Sequence, residues 1–225
     1  MTRIHALILL FLILFVHASF SQQKKTVEKK GGYLRTNIFS ILEIDGGVML
    51  GTRYQWNKHF SATVDPTFIF FNPYHKTFDD ISNPRGIKIR ADVRFHFSES
   101  FLEGKAFIAP EFHYKYRSKD RLATFGFNCV NNSCAYYMET TYKEQKKEIG
   151  ASLKAGVDLP RDNNERLSFE IYGGLGVKIF RYKEEDVPIG GSFLGEPSHQ
   201  DFFGSFEGSA SPMLFGSIKV SYRLR

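Results

Sequence analysis

The sequence predicts an all-β protein, an eight-stranded antiparallel transmembrane β-barrel. Three observations support this prediction. The chain begins with an apolar export signal, it continues in segments of about ten residues that alternate apolar and polar side chains, and the connections between these segments are alternately short and long. Segments of this length, separated by turns, are typical of membrane barrels. Aromatic residues make up 16% of the chain, which favours strands.

The N-terminal stretch predicts a secretory signal peptide. Arg3 precedes the apolar run ALILLFLILFV, and Ser21 is a small residue before a cleavage site at Gln22. The apolar run is short for a spanning helix, which needs about 20 residues. The predicted division of the chain is a signal peptide at 1–21, a short periplasmic tail at 22–32 and the barrel at 33–225.

Eight strand segments follow the signal. The stretch RGIKIRADVRFHF is the clearest, because from Gly86 on every second residue is apolar or small and the others are charged or histidine. Pro66 and Pro110 fall inside the third and fifth segments, where each removes a ladder hydrogen bond. The sequence leaves open whether they mark bulges or breaks. The predicted segments are 33–43, 46–56, 59–71, 85–97, 104–117, 146–159, 166–181 and 213–225.

The connections between the segments predict which ends of the strands lie together. Those after the second, fourth and sixth segments are short (NK, SESFLE and PRDNNE), whereas those after the third, fifth and seventh are long. The tight IDGG after the first segment is the exception. Sorting of long loops to one end is typical of outer-membrane barrels, which have short periplasmic turns and long external loops.

Alternation alone fits either a soluble barrel with an apolar core or a membrane barrel with its charges inside. Aromatic residues near the strand ends, such as Trp56, Phe97 and Tyr222, suit the lipid–water boundaries. The polar face carries both signs of charge together with glycines, which make room for long side chains inside a narrow barrel. We therefore expect a paired network in the lumen, formed by Arg53, Asp65, Arg90, Asp92, Arg94, Glu111, Lys154, Glu170 and Lys178.

The two cysteines, Cys129 and Cys134, lie in NCVNNSC, with a plausible turn between them. In an exported chain this spacing predicts a local disulfide in the third external loop. Two free thiols are the alternative. A metal site is not favoured, because no second pair of ligands accompanies them.

A family resemblance adds to this interpretation. The signal ending SFSQQ, the first hairpin YLRTNIFSILEIDGGVMLGTRYQWNKHFS and the closing strand PMLFGSIKVSYRLR resemble the small outer-membrane β-barrel proteins of Gram-negative bacteria, the PorT-like group, whose architecture is similar to the OmpA and OmpX barrels. The resemblance implies an outer-membrane location and carries no catalytic motif. The chain departs from many barrels in ending on Arg225 rather than on an aromatic residue.

The expected function is non-enzymatic. We expect a structural or binding role through the long external loops, or a partnership with an envelope or secretion machine. The expected partners are outer-membrane lipid and such an envelope protein, with the chain a monomer that needs no cofactor or metal. Nucleic acid is not an expected partner of an exported chain, despite its net charge of +6. The contact candidates in the loops are Phe125, Phe127, Tyr136, Tyr137, Phe202, Phe203 and Phe206.

Two alternative functions remain open. A lipid-modifying acyl hydrolase or transferase would need a nucleophile and a base at the outer rim, for which Ser118 and either His75 or His199 are the candidates. A small porin would need an open lumen. His96 and His113 fall on the inward face near Glu111 and are conceivable metal ligands, although membership of the lumen hydrogen-bond network is favoured.

Overall fold

The computed structural model describes residues 30–43, 45–71, 81–101, 104–130, 133–160, 166–193 and 208–224. These residues form an all-β antiparallel sheet in which eight strand positions close into a ring. The signal peptide and the loop residues His75, His199, Phe202, Phe203 and Phe206 lie outside the described residues. The strands are β1 (Gly31–Asn37), β2 (Gly46–Met49), β3 (Gly51–Gln55), β4 (Phe60–Phe71), β5 (Ile81–Phe101), β6 (Gly104–Phe127), β7 (Tyr136–Pro160), β8 (Leu167–Glu185), β9 (Gly191–Phe193) and β10 (Ala210–Arg223).

The ring follows the chain order, with each strand antiparallel to its neighbours. β2 and β3 share one position beside β4, and β9 pairs with β6 above the ring. The last strand returns to the first, so that Leu34 on β1 lies opposite Tyr222 on β10. The predicted all-β, antiparallel arrangement of eight strands is confirmed.

The first two predicted strands are shorter than expected. β1 ends at Asn37, whose side chain accepts a hydrogen bond from the Phe39 backbone N–H at 3.0 Å and caps a 3₁₀ helix, Ile38–Leu42. The second strand divides at Leu50. The Leu50 N–H donates to the Pro66 carbonyl at 3.2 Å, but Pro66 has no N–H to donate in return, so the ladder has a gap there.

The two prolines neither bulge nor break their own strands. β4 runs without interruption through Pro66, which lies opposite Ile89. β6 runs equally through Pro110, opposite Leu153. The register shifts of β5 lie elsewhere, between Ser82 and Arg85 and between His96 and Ser100.

The pair β6–β7 is much longer than predicted. Its pairing continues to Phe127 opposite Tyr136, so most of the expected loop at 118–145 is strand. The prediction of a long loop there was wrong. Its pattern misleads because polar residues such as Ser118 and Asp120 occupy the outer face while cations occupy the inner face, so the apolar–polar alternation disappears.

The ends of the strands fall into two groups. The strand ends that face each other across the short connections, between β3 and β4, β5 and β6, and β7 and β8, lie at the same end of the ring as the start of β1. The ends of β1, β4, β6 and β8 lie at the opposite end of the ring, which we call the long-connection end. None of the described residues forms a helix long and apolar enough to cross a membrane.

Candidate functional site

The distribution of side chains in the ring is the reverse of that in a water-soluble protein, with most polar side chains inside and apolar side chains outside. The apolar core inside is small and consists of Phe107, Ala109 and Tyr172, with Phe215 packed against it. Most of the other buried side chains are polar or charged, while large apolar side chains such as Leu175 are exposed. The interior of the ring is therefore the candidate site.

The outer surface carries an apolar band that covers six neighbouring strands of the ring. On six strands every outward position over eleven residues is apolar, glycine or tyrosine. Arg85, Lys147 and Arg181 are the next outward residues toward the long-connection end on β5, β7 and β8. The band ends at the same height on the neighbouring strands β7 and β8, since its last residues there, Ile149 and Ile179, pair with each other. The band covers 60–70 on β4, 87–97 on β5, 106–116 on β6, 149–159 on β7, 169–179 on β8 and 212–222 on β10.

Glu170 is the centre of the buried charges inside the band. It accepts hydrogen bonds from Arg35 at 2.5 Å and from two nitrogens of Arg94 at 2.6 and 3.0 Å. Arg94 also donates to Asp92 at 2.7 Å. The four side chains come from β1, β5 and β8, so the contacts cross the interior. Buried ions of opposite sign stabilise one another only when they are paired and hydrogen-bonded in this manner.

Two lysines extend this arrangement. Lys154 bridges Asp92 and Glu111, with its Nζ 2.8 Å from Glu111. Lys219 contacts Asp65 at 2.7 Å. Because the side chains involved are at most 1% exposed, they fill the cross-section of the ring. We call this group the central network: Arg35, Asp65, Asp92, Arg94, Glu111, Lys154, Glu170 and Lys219.

The sequence-predicted lumen residues all face inward, but they do not all meet. Six belong to the central network: Asp65, Asp92, Arg94, Glu111, Lys154 and Glu170. Arg90 lies beside it, 3.9 Å from Glu111. Arg53 pairs instead with Asp158 at 2.6 Å, and Lys178 lies 3.7 Å from Glu148.

Sequence reasoning missed Arg35 and Asp158. Arg35 has the same alternation signal as the others, because it lies between the inward Tyr33 and Asn37. The predicted first strand continued to residue 43, past the end of the alternation at Asn37, so the inward face of the strand was not assigned. Asp158 follows the inward series on β7 and could have been found from Lys154 by the same period of two.

The interior changes character toward the long-connection end. Four successive inward positions of β6 carry cations, which are Lys115, Arg117, Lys119 and Arg121. Lys88 from β5, Lys146 from β7 and Lys178 from β8 face the same space. We call these seven side chains and the space between them the basic cup. The sequence signal, a basic residue at every second position of KYRSKDR, was present but fell in the predicted loop.

Carboxylates among the described residues contact these cations. Asp45 binds both Lys115 and Arg117. Glu144 lies 3.1 Å from Lys119 and 2.8 Å from Arg121. Two further carboxylates of the described residues contact the cup. Glu43 binds Lys88, and Glu148 contacts His113 at 3.1 Å and lies within 4 Å of Lys146 and Lys178.

Solvent reaches the basic cup but not the central network. The side chains of Lys115, Arg117 and Arg121 are 16, 14 and 26% exposed although they point inward. The interior is therefore closed by the central network and open to water above it, on the side of the long-connection end.

The acid–base properties of the upper part of the cup reflect its charge. Burial raises the pKa of Glu144, but Lys119 and Arg121 lower it more, so that it stays below its usual value. Burial, together with the like charge of Lys115, lowers the pKa of Lys146 to about 8, although Glu148 acts in the opposite direction.

The hairpin β6–β7 ends in an aromatic cluster and a disulfide. Cys129 and Cys134 are bonded, with their Sγ atoms 2.06 Å apart. Phe125 packs on Phe193 with ring centroids 4.6 Å apart and is fully buried. Phe125 is thus not available as a surface contact, contrary to the expectation. Phe127 stacks on the exposed Tyr136 at 4.9 Å.

The histidines and Ser118 have separate surroundings. The His96 ring lies 2.8 Å from Ser61 Oγ, and His113 contacts Glu148, so the two imidazoles have different partners. In the described part of the chain, no three His, Cys, Asp or Glu side chains are placed to hold a metal ion. Ser118 lies on an outward position of β6.

Comparison of the chain with protein-family models, curated proteins and solved structures finds no match.

Proposed function

We propose that the chain is an integral outer-membrane β-barrel protein without enzymatic activity, which acts by binding at its long-connection end or as a partner of an envelope or secretion machine. The observation that carries the proposal is the apolar band. Eleven strand residues extend about 33 Å, and a tilt near 40° reduces this to about 25 Å along the ring axis. An outer-membrane barrel has an apolar band of about this height.

The inverted distribution of side chains supports the same proposal. A large contiguous apolar surface is unusual on a soluble monomer, whereas lipid favours it. In hydrocarbon every backbone polar group needs an internal partner, and a closed ring of strands supplies one. The buried ion pairs then lie in the lumen, where water or opposite charges stabilise them.

A pair of matched substitutions tests this proposal. Leu175→Arg introduces a charge at the middle of the band, and Leu122→Arg introduces the same charge at an outward position of β6 above it. Both residues are exposed apolar side chains. In phospholipid bilayers, Leu175→Arg should lower the free energy of unfolding by about 2–4 kcal/mol, because the midplane disfavours arginine. Leu122→Arg should have little effect.

The readout is urea unfolding of the refolded protein in lipid vesicles, followed by tryptophan fluorescence and by migration on unheated gels. Equal, small effects of the two substitutions, or a wild-type protein that stays soluble without detergent or lipid, would contradict the membrane proposal and favour a soluble barrel.

A further inference from the structure

Two exposed cations lie side by side on the outer surface, directly above the apolar band. Lys147 on β7 pairs with Arg181 on β8, and both side chains are outward and exposed. Residues paired on neighbouring antiparallel strands have their Cβ atoms about 5 Å apart, and like charges placed in this way are destabilising. An anion that contacts both side chains would remove this repulsion. We call Lys147 and Arg181 the outer basic pair.

The described residues supply no carboxylate to the outer basic pair. On its other side, Lys147 pairs with Tyr116 of β6, which is uncharged at neutral pH. Glu148 is adjacent to Lys147 in sequence, but its buried side chain faces the interior, on the opposite side of the sheet. An anion that compensates the pair therefore has to come from outside the described part of the chain.

A neighbouring outward cation has the opposite situation. Lys143 lies on the same face of β7, four residues nearer the long-connection end. It pairs with Asp120 of β6 on one side and with Glu185 of β8 on the other, and it contacts Asp186 at 3.2 Å. The chain thus surrounds this lysine with carboxylates but provides none to the outer basic pair at the edge of the band.

The height of the outer basic pair places it in the headgroup layer of the proposed membrane. The pair is the next outward position after Ile149 and Ile179, the last residues of the band on their strands. Two residues advance about 6.8 Å along a strand, or about 5 Å along the ring axis at a tilt near 40°. The polar layer of a bilayer extends about 5–8 Å beyond the hydrocarbon core on each side.

Only one margin of the band has a cation on β8. Arg181 follows the band toward the long-connection end, whereas Leu167 follows it toward the other end. Guanidinium and ammonium groups bind phosphate oxygens through charge-assisted hydrogen bonds. Two such groups beside an apolar surface match a ligand that joins a phosphate group to acyl chains.

We infer that the outer basic pair binds the phosphate group of an anionic lipid in the leaflet at the long-connection end. The phosphate accepts hydrogen bonds from Lys147 and Arg181, and the acyl chains of the same lipid lie along the apolar band below them. This inference rests on the membrane location proposed above and adds to it a lipid class and a binding site.

The test measures lipid binding to the full chain in micelles of a neutral maltoside detergent by native mass spectrometry. Phosphatidic acid is the probe, and phosphatidylcholine, whose choline group neutralises its phosphate, is the control lipid. The wild-type protein should bind phosphatidic acid at least about tenfold more tightly. Lys147→Gln and Arg181→Gln should each weaken phosphatidic acid binding about tenfold, as expected for the loss of one charge-assisted hydrogen bond.

Lys143→Gln is the matched control, because it removes an outward cation of the same strand that already has carboxylate partners. It should bind phosphatidic acid within about twofold of wild type. Migration on unheated gels establishes that each variant is folded. An excess of inorganic phosphate should leave the lipid bound, because inorganic phosphate has no acyl chains to contact the band.

Equal affinity of the wild-type protein for the two lipids would overturn the inference, and so would equal weakening by Lys143→Gln and Lys147→Gln. Displacement of the lipid by inorganic phosphate would assign the pair to free anions instead. A failed Leu175→Arg comparison would remove the membrane proposal together with this inference. If that comparison succeeds and phosphatidic acid is not preferred, only the lipid site is refuted.

Discussion

At the scale of single residues, the interior depends on carboxylates that are shared between cations. Glu170 lies between Arg35 and Arg94, and each of these three side chains is at most 1% exposed. Removal of one member leaves the others as buried charges without compensation, which costs more than the loss of one contact. The pairing therefore makes the interior sensitive to single isosteric substitutions.

Glu170→Gln should consequently lower the free energy of unfolding by about 3–5 kcal/mol, because it leaves two guanidinium groups without their common anion. Urea unfolding in detergent micelles measures the effect. Glu139→Gln, at an exposed position of β7, is the control and should change stability by less than about 0.5 kcal/mol. A Glu170→Gln protein as stable as this control would show that the central network does not hold the ring closed.

The inward direction of the charges could be predicted from the alternation, from the aromatic strand ends and from the glycines on the polar face. The identity of the partners could not. Which carboxylate meets Arg53 depends on how the ring brings β3 toward β7, and Asp158 is 105 residues away in sequence. Period and composition contain no information about such a distance.

At the scale of the strands, two glycines of β8 show how closely the inner face and the outer face of this strand are packed. A Cβ atom on the inward Gly176 would lie 2.3 Å from the Ala151 carbonyl oxygen and 2.5 Å from Ser152 Cβ. On the outward Gly173 the nearest atom would be the Phe215 carbonyl oxygen at 3.7 Å. The inward face is thus packed too closely for even one methyl group.

Gly176→Ala should accordingly lower stability by about 1–3 kcal/mol, the usual effect of overpacking. Gly173→Ala should be neutral or slightly stabilising. The midpoints of urea unfolding for the two variants give the comparison. Equal midpoints would mean that β7 and β8 can move apart to accommodate the methyl group without loss of stability, and that the interior is packed less closely than its contacts indicate.

The strand boundaries were predictable only where one face is apolar. Inside the band the alternation of apolar and polar residues marks each strand, so 87–97 of β5 was found. Beyond the band both faces of β6 and β7 are polar, and the pairing near Lys119 and Glu144 depends on cross-strand ion pairs and backbone hydrogen bonds. Hydrophobic periodicity does not report either contribution.

At the scale of the whole molecule, the central network determines whether the ring conducts. A ring of eight strands leaves an interior that side chains can fill. Here it is filled by fully buried ion pairs such as Lys154–Glu111 and Lys219–Asp65. The cup above is open, but the path through the ring is closed.

The refolded protein should therefore give no steady conductance in planar lipid bilayers, because ions would have to separate buried pairs on their way through. The measurement is recording at moderate voltage in salt of about 1 M, a concentration that screens surface charges. Glu170→Gln is the informative comparison, since loosening the network should produce brief, irregular openings. Large and stable conductance steps in the wild-type protein would replace the binding proposal with that of a small porin.

The pairing of β1 with β10 has a consequence for how the chain reaches its final state. Leu34 and Tyr222 are neighbours in the ring, although nearly the entire strand sequence separates them. Until both strands are in place, the sheet has two open edges whose N–H and C=O groups can pair with another chain. Loop-closure entropy makes such distant contacts slow to form. The nascent chain must therefore be shielded from other copies until its last strand arrives, and any factor that shortens this interval should raise the yield of correctly closed molecules.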